Sequence, residues 1–210
     1  MLLCTVLQHE GFHCSQADTS LFTRKSGDEL LIVLIYVDDL LVTGSNSAVV
    51  SALIMAMHHQ FAMNELRHLS FFLGKEITKT CTGLIIHQTR YATDLLEKAG
   101  MLNCQSCATA TFYKPTKSSD DEKPYPNVTH FRSLVGGLVS LCITRPDLQF
   151  SINQACQSMH SLTQASFTAL TRLLRYMKGT IGMGLYYKPG PLQLHCYCDA
   201  GWATDAVDRR

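Results

Sequence analysis

Apolar residues in the first part of the chain form short runs separated by polar breaks, a pattern typical of strands joined by tight turns. Leu21–Lys25 and Glu29–Val37 predict two strands, and the Ser26-Gly27-Asp28 stretch between them predicts a hairpin turn. The second run continues through two aspartates into Leu40–Thr43 and ends at Gly44. The pattern therefore predicts antiparallel β-structure from residue 21 to residue 44.

Helical periodicity follows this region. Apolar residues recur at helical spacing at Val49, Val50, Leu53, Ile54, Met57 and Phe61. Phe71–Thr78 and Leu84–Gln88 predict a second hairpin with its turn around Thr82-Gly83. Tyr91–Ala99 predicts a short helix that ends at Gly100.

The second half of the chain reads as a linker followed by helices. Residues 113–130 hold three of the six prolines together with serines and acidic residues, so we expect a linker or long exposed loop there. The predicted elements after it are helices over Phe131–Cys142, Pro146–Met159 and Gln164–Lys178, then strands at Tyr186-Tyr187 and Leu192–Cys198.

Composition narrows the class of protein. Hydrophobic residues make up 46% and charged residues 17% of 210 residues, which indicates a globular chain with ample core material. The net charge of +1 gives no basic footprint of a nucleic-acid binder. No signal peptide is recognisable, and no apolar run reaches the roughly 20 residues that span a bilayer. We therefore expect an intracellular protein, cytoplasmic or nuclear, that is neither secreted nor bound to a membrane.

The nine cysteines do not predict a metal centre. Cys104 and Cys107 have the spacing of half a zinc site, and Cys196 and Cys198 form a second close pair. Almost ninety residues separate the two pairs, far more than in compact zinc modules. We expect reduced thiols and no zinc.

Asp38 and Asp39 lie side by side inside the apolar run "LLIVLIYVDDLLVTGS". Because an unpaired buried carboxylate costs several kcal/mol, the pair must lie at an exposed turn or beside a cation. Two carboxylates presented at one edge of a sheet suit Mg²⁺, which takes one or two carboxylates plus substrate phosphates. A solvated Asp-Asp turn is the alternative.

A series of motifs resembles the reverse transcriptases of copia-type long-terminal-repeat retrotransposons. The "YVDD" stretch resembles the catalytic hairpin of that family. The other matching motifs, in the family's order, are "GFHCSQADTSLF", "FFLGKEI", "GLIIHQTRYATDLLEKAGM", "FRSLVGGLVSLCITRPDLQFSINQACQSMH" and "LTRLLRYMKGTIGMGLYY". The resemblance extends from about Gln8 to Arg210.

The resemblance implies an α+β fold. It implies a partial palm and thumb region over residues 1–112, in which an antiparallel sheet is backed by helices. After the linker at 113–130, it implies a helical connection region over 131–190 and the first strands of a truncated ribonuclease H-like domain over 191–210.

The same resemblance implies the roles of particular residues. Asp38, the stronger ligand, and Asp39 would bind Mg²⁺, with Mn²⁺ as a substitute, and Tyr36 and Val37 would shape the turn near the primer end. Asp199, in "HCYCDAGWATDAVDRR", would be the first metal-binding carboxylate of ribonuclease H. The partners would be an RNA or DNA primer-template, nucleotides and other segments of a polyprotein.

The resemblance also leads us to expect that these 210 residues alone are inactive. The family draws another catalytic aspartate from a palm strand upstream of "GFHCSQADTSLF", where this chain has ten residues. The alternative to a truncated RNA-directed DNA polymerase is a non-catalytic retrotransposon remnant that at most binds nucleic acid or a partner protein.

Three basic residues follow one side of the last predicted helix. Arg172, Arg175 and Lys178 recur at i, i+3 spacing, while Leu170, Leu173, Leu174 and Met177 form its apolar side. In an intact enzyme the basic side could contact a nucleic-acid backbone. A solvated basic face is the alternative.

Overall fold

The computed structural model of the chain describes residues 2–37, 39–64, 69–111, 122–191 and 193–198. It contains two compact units, residues 1–77 with 88–92 and residues 78–87 with 93–210. In chain order the elements are α1 Leu2–His9, β1 His13–Cys14, β2 Leu21–Ser26, β3 Glu29–Tyr36, β4 Asp39–Gly44, α2 Ser47–Gln60, β5 Phe71–Phe72, β6 Lys75–Lys79, β7 Leu84–His87, α3 Thr89–Lys98, α4 Val128–Val139, a 3-10 turn Pro146–Leu148, α5 Gln149–Gln157, a 3-10 turn Ser158–His160, α6 Gln164–Gly179 and β8 Leu185–Tyr187. The predicted mixed fold with antiparallel sheets is confirmed at this level.

The first unit is built on an antiparallel sheet of order β1-β2-β3-β4. The predicted hairpin is confirmed: Ser26 pairs with Glu29, and Gly27 takes a φ of 59° in the turn, a conformation that glycine adopts without steric cost. Val33 and Phe22 point to the core and are 0% and 2% exposed. The buried cluster comprises Leu7, Phe12, Phe22, Leu31, Val33, Leu53 and Met57. Residues of α1 and α2 therefore cover one face of this sheet.

A second four-stranded sheet has the order β5-β6-β7-β8. The predicted single strand over Phe71–Thr78 is divided, because Leu73 and Gly74 take φ values of 50° and 74° and turn the chain between β5 and β6. The predicted strand at Tyr186-Tyr187 is confirmed as part of β8, which pairs with β7 through Leu84 and Tyr187.

The helices that follow β7 begin and end at recognisable signals. Gly100, with a φ of 67°, follows α3 as predicted. Helix α4 begins at Val128, inside the predicted linker, because the Asn127 side chain accepts a hydrogen bond from the His130 amide at 3.0 Å. The predicted helix over Pro146–Met159 is instead α5 with a 3-10 turn at each end.

The predicted strand over Leu192–Cys198 is wrong for residues 193–198, which have no strand structure. Leu194 and Tyr197 are 98% and 91% exposed, so this segment buries no apolar face against a neighbour. Residues 113–121 of the predicted linker lie outside the described part of the chain, as does residue 112 before it.

None of the helices that the structure describes is long and apolar enough to span a membrane.

Candidate nucleotidyl-transfer site

The β3–β4 hairpin positions the aspartate pair. Tyr36 is paired with Asp39, so only residues 37 and 38 connect the two strands. The predicted tight turn is therefore confirmed, with Asp39 as the first residue of β4. Asp38 itself lies outside the described residues, and its side-chain position stays a prediction.

The strand register decides which face Asp39 occupies. Side chains alternate between the two faces along a strand, and directly paired residues share a face. Val33 pairs with Val42 on the face that packs against the buried cluster. Tyr36 lies three positions after Val33 on β3, and Asp39 lies three positions before Val42 on β4. Because an odd step along a strand changes the face, Tyr36 and Asp39 occupy the opposite face. Asp39 is thus directed away from the core.

The tip of the hairpin is exposed to solvent. Tyr36 and Val37 are 52% and 87% exposed, and Asp39 is exposed as well. Within the described part of the chain, the Asp39 carboxylate has no ion pair or hydrogen-bond partner. Its oxygens are therefore available to a ligand.

The backbone at the turn is unusual. Val37 has a φ of 53°, in the left-handed region that β-branched residues rarely adopt. A two-residue hairpin connection of type I′ or II′ requires positive φ at its first central position, which explains why Val37 adopts this conformation. The β3–β4 register across the turn is therefore maintained at the cost of steric strain at Val37.

The other end of the hairpin is closed by glycine and serine. A Cβ at Gly44 would lie 2.7 Å from the Leu30 carbonyl oxygen, so only glycine fits there. The Ser45 amide donates to the Leu30 carbonyl at 2.9 Å, and the Leu30 amide donates to Ser45 Oγ at 3.0 Å. These contacts fix the length of both strands and hence the place of the turn.

The carboxylate oxygens of the turn could supply part of the ligand set of a hard cation such as Mg²⁺. Carboxylate oxygens at an exposed turn suit Mg²⁺, which retains water and substrate phosphate ligands beside one or two carboxylates. No cluster of three or more acidic, histidine or cysteine side chains that could hold a metal occurs among the described residues. Asp38 and Asp39 would therefore need further oxygen ligands from water, substrate or another segment.

The predicted basic residues lie in the second unit, on α6. Arg172 donates from Nε to the Thr111 carbonyl at 3.2 Å and from Nη2 to Thr109 Oγ1 at 2.6 Å. Arg175 donates from Nε to the Gln105 carbonyl at 2.7 Å. Both guanidinium groups hold the backbone of residues 105–111 against α6, and Lys178 is half-buried on the same helix. A nucleic-acid role for these three residues stays a prediction.

The remaining sequence predictions concern the cysteine pair, where no zinc is expected, and Asp199. Cys104 and Cys107 are half-buried, and the Cys107 thiol lies 3.4 Å from the carbonyl oxygens of both Thr109 and Arg172. Asp199 lies outside the described residues.

The sequence pattern missed an ion pair between α4 and α5 that joins a buried arginine to an exposed aspartate. Arg145 is 3% exposed and donates from Nε and Nη2 to the two oxygens of Asp147, at 2.9 Å and 2.8 Å. It also donates to the backbone carbonyl of Thr180 at 2.8 Å, just after α6. Only the "TRPD" stretch, an arginine before a helix-starting proline and an aspartate, could have signalled it.

Comparison with known proteins identifies the family of this chain. The family described as "Reverse transcriptase (RNA-dependent DNA polymerase)" matches residues 1–113. The uncharacterized mitochondrial protein AtMg00810 of Arabidopsis thaliana is 41% identical over 181 residues, covering 86% of this chain and 75% of that protein. No solved structure matches the chain.

Two further relatives are much longer polyproteins. The Retrovirus-related Pol polyproteins from transposons RE2 and RE1 of Arabidopsis thaliana are 38% and 36% identical and cover 98% and 94% of this chain. The chain spans 14% of the length of each polyprotein. The chain belongs to the reverse transcriptase (RNA-dependent DNA polymerase) family and corresponds to a segment of copia-type Pol polyproteins.

Proposed function

We propose that this chain contributes the aspartate turn of an RNA-directed DNA polymerase, in which Asp38 and Asp39 bind Mg²⁺ and the reaction is nucleotidyl transfer. The observation that carries the proposal is the placement of Asp39 directly after a two-residue connection, where it is exposed, directed away from the core and without a side-chain partner among the described residues. Family membership supports the reaction class.

In this proposal the sheet β1–β4, backed by α1 and α2, is part of a palm. A bound divalent cation would activate the primer hydroxyl and stabilise charge on the phosphate oxygens. The carboxylates would hold the cation at the tip of the hairpin, beside the exposed side chains of Tyr36 and Val37, which would shape the turn near the primer end. Nucleic acid and nucleotides are the proposed substrates, and further Pol segments are the proposed partners. The start of a ribonuclease H-like domain at residues 191–210 also remains a proposal.

Cation binding at the turn can be tested by NMR on the ¹⁵N-labelled chain with Mn²⁺ as a paramagnetic probe. We expect Mn²⁺ to broaden the amide signals of Tyr36, Val37 and Asp39, and an excess of Mg²⁺ to restore them. The double variant Asp38→Asn with Asp39→Asn should lose the broadening, because neutral amides bind divalent cations much more weakly.

A matched control is available at the opposite end of the same sheet. Asp28 is an exposed aspartate in the β2–β3 turn, so Asp28→Asn removes one charge without touching the proposed site. This variant should keep the broadening at Tyr36. Broadening that persists in the double variant, or that disappears equally in Asp28→Asn, would refute the proposed cation site.

A further inference from the structure

The sheet of the first unit ends in an open edge at β4. The sheet order makes β4 an outer strand, and its register with β3 is continuous, without a bulge in residues 39–44. Residues 40–43 read Leu-Leu-Val-Thr and include neither a charged residue nor a proline. Edge strands of native proteins usually carry such features, because they prevent pairing with another chain. The middle of β4 therefore has no feature that blocks a further strand.

The register identifies the main-chain groups that point away from the sheet. The Ser45 amide donates to the Leu30 carbonyl at 2.9 Å, so these two residues form a hydrogen-bonded pair. Because hydrogen-bonded and non-hydrogen-bonded pairs alternate along antiparallel strands, the amides and carbonyls of Leu40, Val42 and Gly44 point outward. None of the described residues hydrogen-bonds to these outward groups. They form a row of donors and acceptors that matches the main chain of another strand.

The core side of β4 is complementary to a second copy of itself. An antiparallel pair with a two-fold axis at Val42 places Val42 opposite its own copy and Leu40 opposite Gly44 of the second copy. Leu40 and Val42 pack against the buried cluster of the first unit, so the apolar side of the sheet continues across the pair. Gly44 has no side chain, which leaves room for the leucine opposite it.

The other side of β4 also accepts this register. Thr43 lies opposite Leu41 of the second copy, and Asp39 lies opposite Ser45 of the second copy. Like charges directly opposite one another would destabilise a strand pair, and here the only charged residue of β4 faces a neutral serine. Self-pairing therefore brings no two like charges together.

From these observations we infer that β4 pairs with β4 of a second copy of this chain, antiparallel and about a two-fold axis at Val42. The two four-stranded sheets then form one continuous sheet. About six main-chain hydrogen bonds join the copies, two at each pair of outward-pointing residues. A symmetric contact of this kind closes with two copies and does not extend into a fibre. The inference does not rest on the proposed cation site, because the pairing uses main-chain groups.

The pairing predicts a dimer in which protected amides alternate along β4. Analytical ultracentrifugation of the purified chain should show a shift from monomer to dimer between about 1 µM and 100 µM, as for other small interfaces. In hydrogen exchange followed by NMR, the amides of Leu40, Val42 and Gly44 should become more protected in the dimer, by about ten-fold or more. The amides of Leu41 and Thr43 already point to β3 and should change little.

Two variants of opposite charge test the two-fold register. Thr43 is exposed, and the two copies of this residue lie diagonally across the axis, about 7–8 Å apart. Thr43→Lys alone and Thr43→Glu alone should each dimerise more weakly than the wild type, by about ten-fold or more, because like charges then meet. An equimolar mixture of the two variants should dimerise at least as tightly as the wild type.

The control variant is Ser26→Lys, at the exposed end of β2 in the same sheet. It adds the same charge away from the β4 edge and should dimerise as the wild type does. Circular dichroism must show that each variant is folded. The inference is overturned by a wild-type chain that stays monomeric throughout the concentration range, by protection that does not alternate along β4, or by a Lys and Glu mixture no tighter than the single variants. A monomer would leave the edge to a strand of different sequence.

Discussion

At the scale of single residues, the backbone conformation of Val37 keeps the β3–β4 turn short but lowers the stability of the protein. A branched side chain with a φ of 53° crowds its own backbone, and its 87% exposure returns no burial energy. A residue that tolerates the left-handed region would fit the same turn with less strain.

We therefore expect Val37→Asn to raise the free energy of unfolding by about 1 kcal/mol, because asparagine adopts the left-handed conformation readily. Urea denaturation measures the change. Val37→Ile keeps the branched Cβ and should show no gain. An Asn variant no more stable than the Ile variant would contradict the strain assigned to this turn.

Arg145 and Asp147 are the second residue-scale feature. The hydrogen bonds from Arg145 hold the pKa of Asp147 below its ordinary value, although partial burial acts in the opposite direction. Burial, followed by the hydrogen bond to Asp147 at 3.1 Å, raises the pKa of Tyr176. The carboxylate is therefore held charged between a buried guanidinium and a phenol.

The lowered pKa of Asp147 predicts a loss of stability in acid. A carboxyl with a pKa lower in the folded than in the unfolded state stabilises the fold above its unfolded pKa of about 4, and this contribution is lost as the pH falls through the folded pKa. We expect the wild type to lose more unfolding free energy between pH 5 and pH 3 than Asp147→Asn does.

The measurement is urea denaturation of both proteins across that pH range. At pH 7 the Asn variant should be less stable by about 2 kcal/mol or more, since the Arg145 guanidinium stays buried without its counter-charge. Asp28→Asn, at an exposed turn, should match the wild type in its stability at pH 7 and in its loss of stability between pH 5 and pH 3. Parallel pH curves for wild type and Asp147→Asn would show that the pair does not set the acid response.

At the scale of elements, helix α6 holds residues 105–111, the segment that follows α3. Two arginine side chains bind backbone carbonyls of residues 105–111, and the Cys107 amide donates to the Arg175 carbonyl at 3.4 Å. Gly179 allows Ser106 to lie close, because a Cβ there would be 2.9 Å from the Ser106 Cβ. The basic spacing on α6 thus has a structural use that does not require nucleic acid.

Charge-conserving variants distinguish the structural use of the α6 arginines from a use in binding nucleic acid. Arg175→Lys keeps the positive charge but loses the guanidinium Nε that donates to the Gln105 carbonyl at 2.7 Å. We expect it to lower the free energy of unfolding by about 1 kcal/mol, as for loss of one hydrogen bond.

Lys178 is the control on the same helix, and Lys178→Arg should leave the stability unchanged within about 0.5 kcal/mol. Filter binding to a primer-template measures the affinity of each variant for nucleic acid. If contact with phosphate were the main role of Arg175, the Lys variant would keep both stability and salt-dependent affinity.

At the scale of the whole molecule, the chain corresponds to a small part of a polyprotein. It spans 14% of the Pol polyproteins of transposons RE1 and RE2. The proposed cation ligands, Asp38 and Asp39, come from one turn, whereas the family resemblance implies a further carboxylate from another strand. Activity is therefore expected to depend on a further Pol segment.

We expect the 210-residue chain, purified alone, to extend a primer no better than its Asp38→Asn variant with either Mg²⁺ or Mn²⁺. Removing a single electrostatic contact costs roughly 10²–10³ in rate, and an absent metal ligand should cost at least as much. Gel analysis of extended primer, with an intact reverse transcriptase as positive control, measures the effect. Extension that disappears only in Asp38→Asn would show that these 210 residues suffice.

The local elements of this protein could be predicted from its sequence because their signals are local. The β2–β3 and β3–β4 hairpins follow from runs of apolar residues and the short polar breaks between them. The aspartate turn follows for the same reason, since two adjacent carboxylates cannot stay inside a buried strand. The order of motifs along the chain was sufficient to identify the family.

Only the tertiary structure decided contacts between residues far apart in the chain. The pairing of Leu84 with Tyr187, and the hydrogen bond from Arg175 to Gln105, depend on which surfaces meet after folding. Residues 193–198 have a strand-like sequence without strand structure, because a strand also needs a partner edge. Periodicity predicts which face a residue occupies within an element, but the groups that it meets are set by packing between elements.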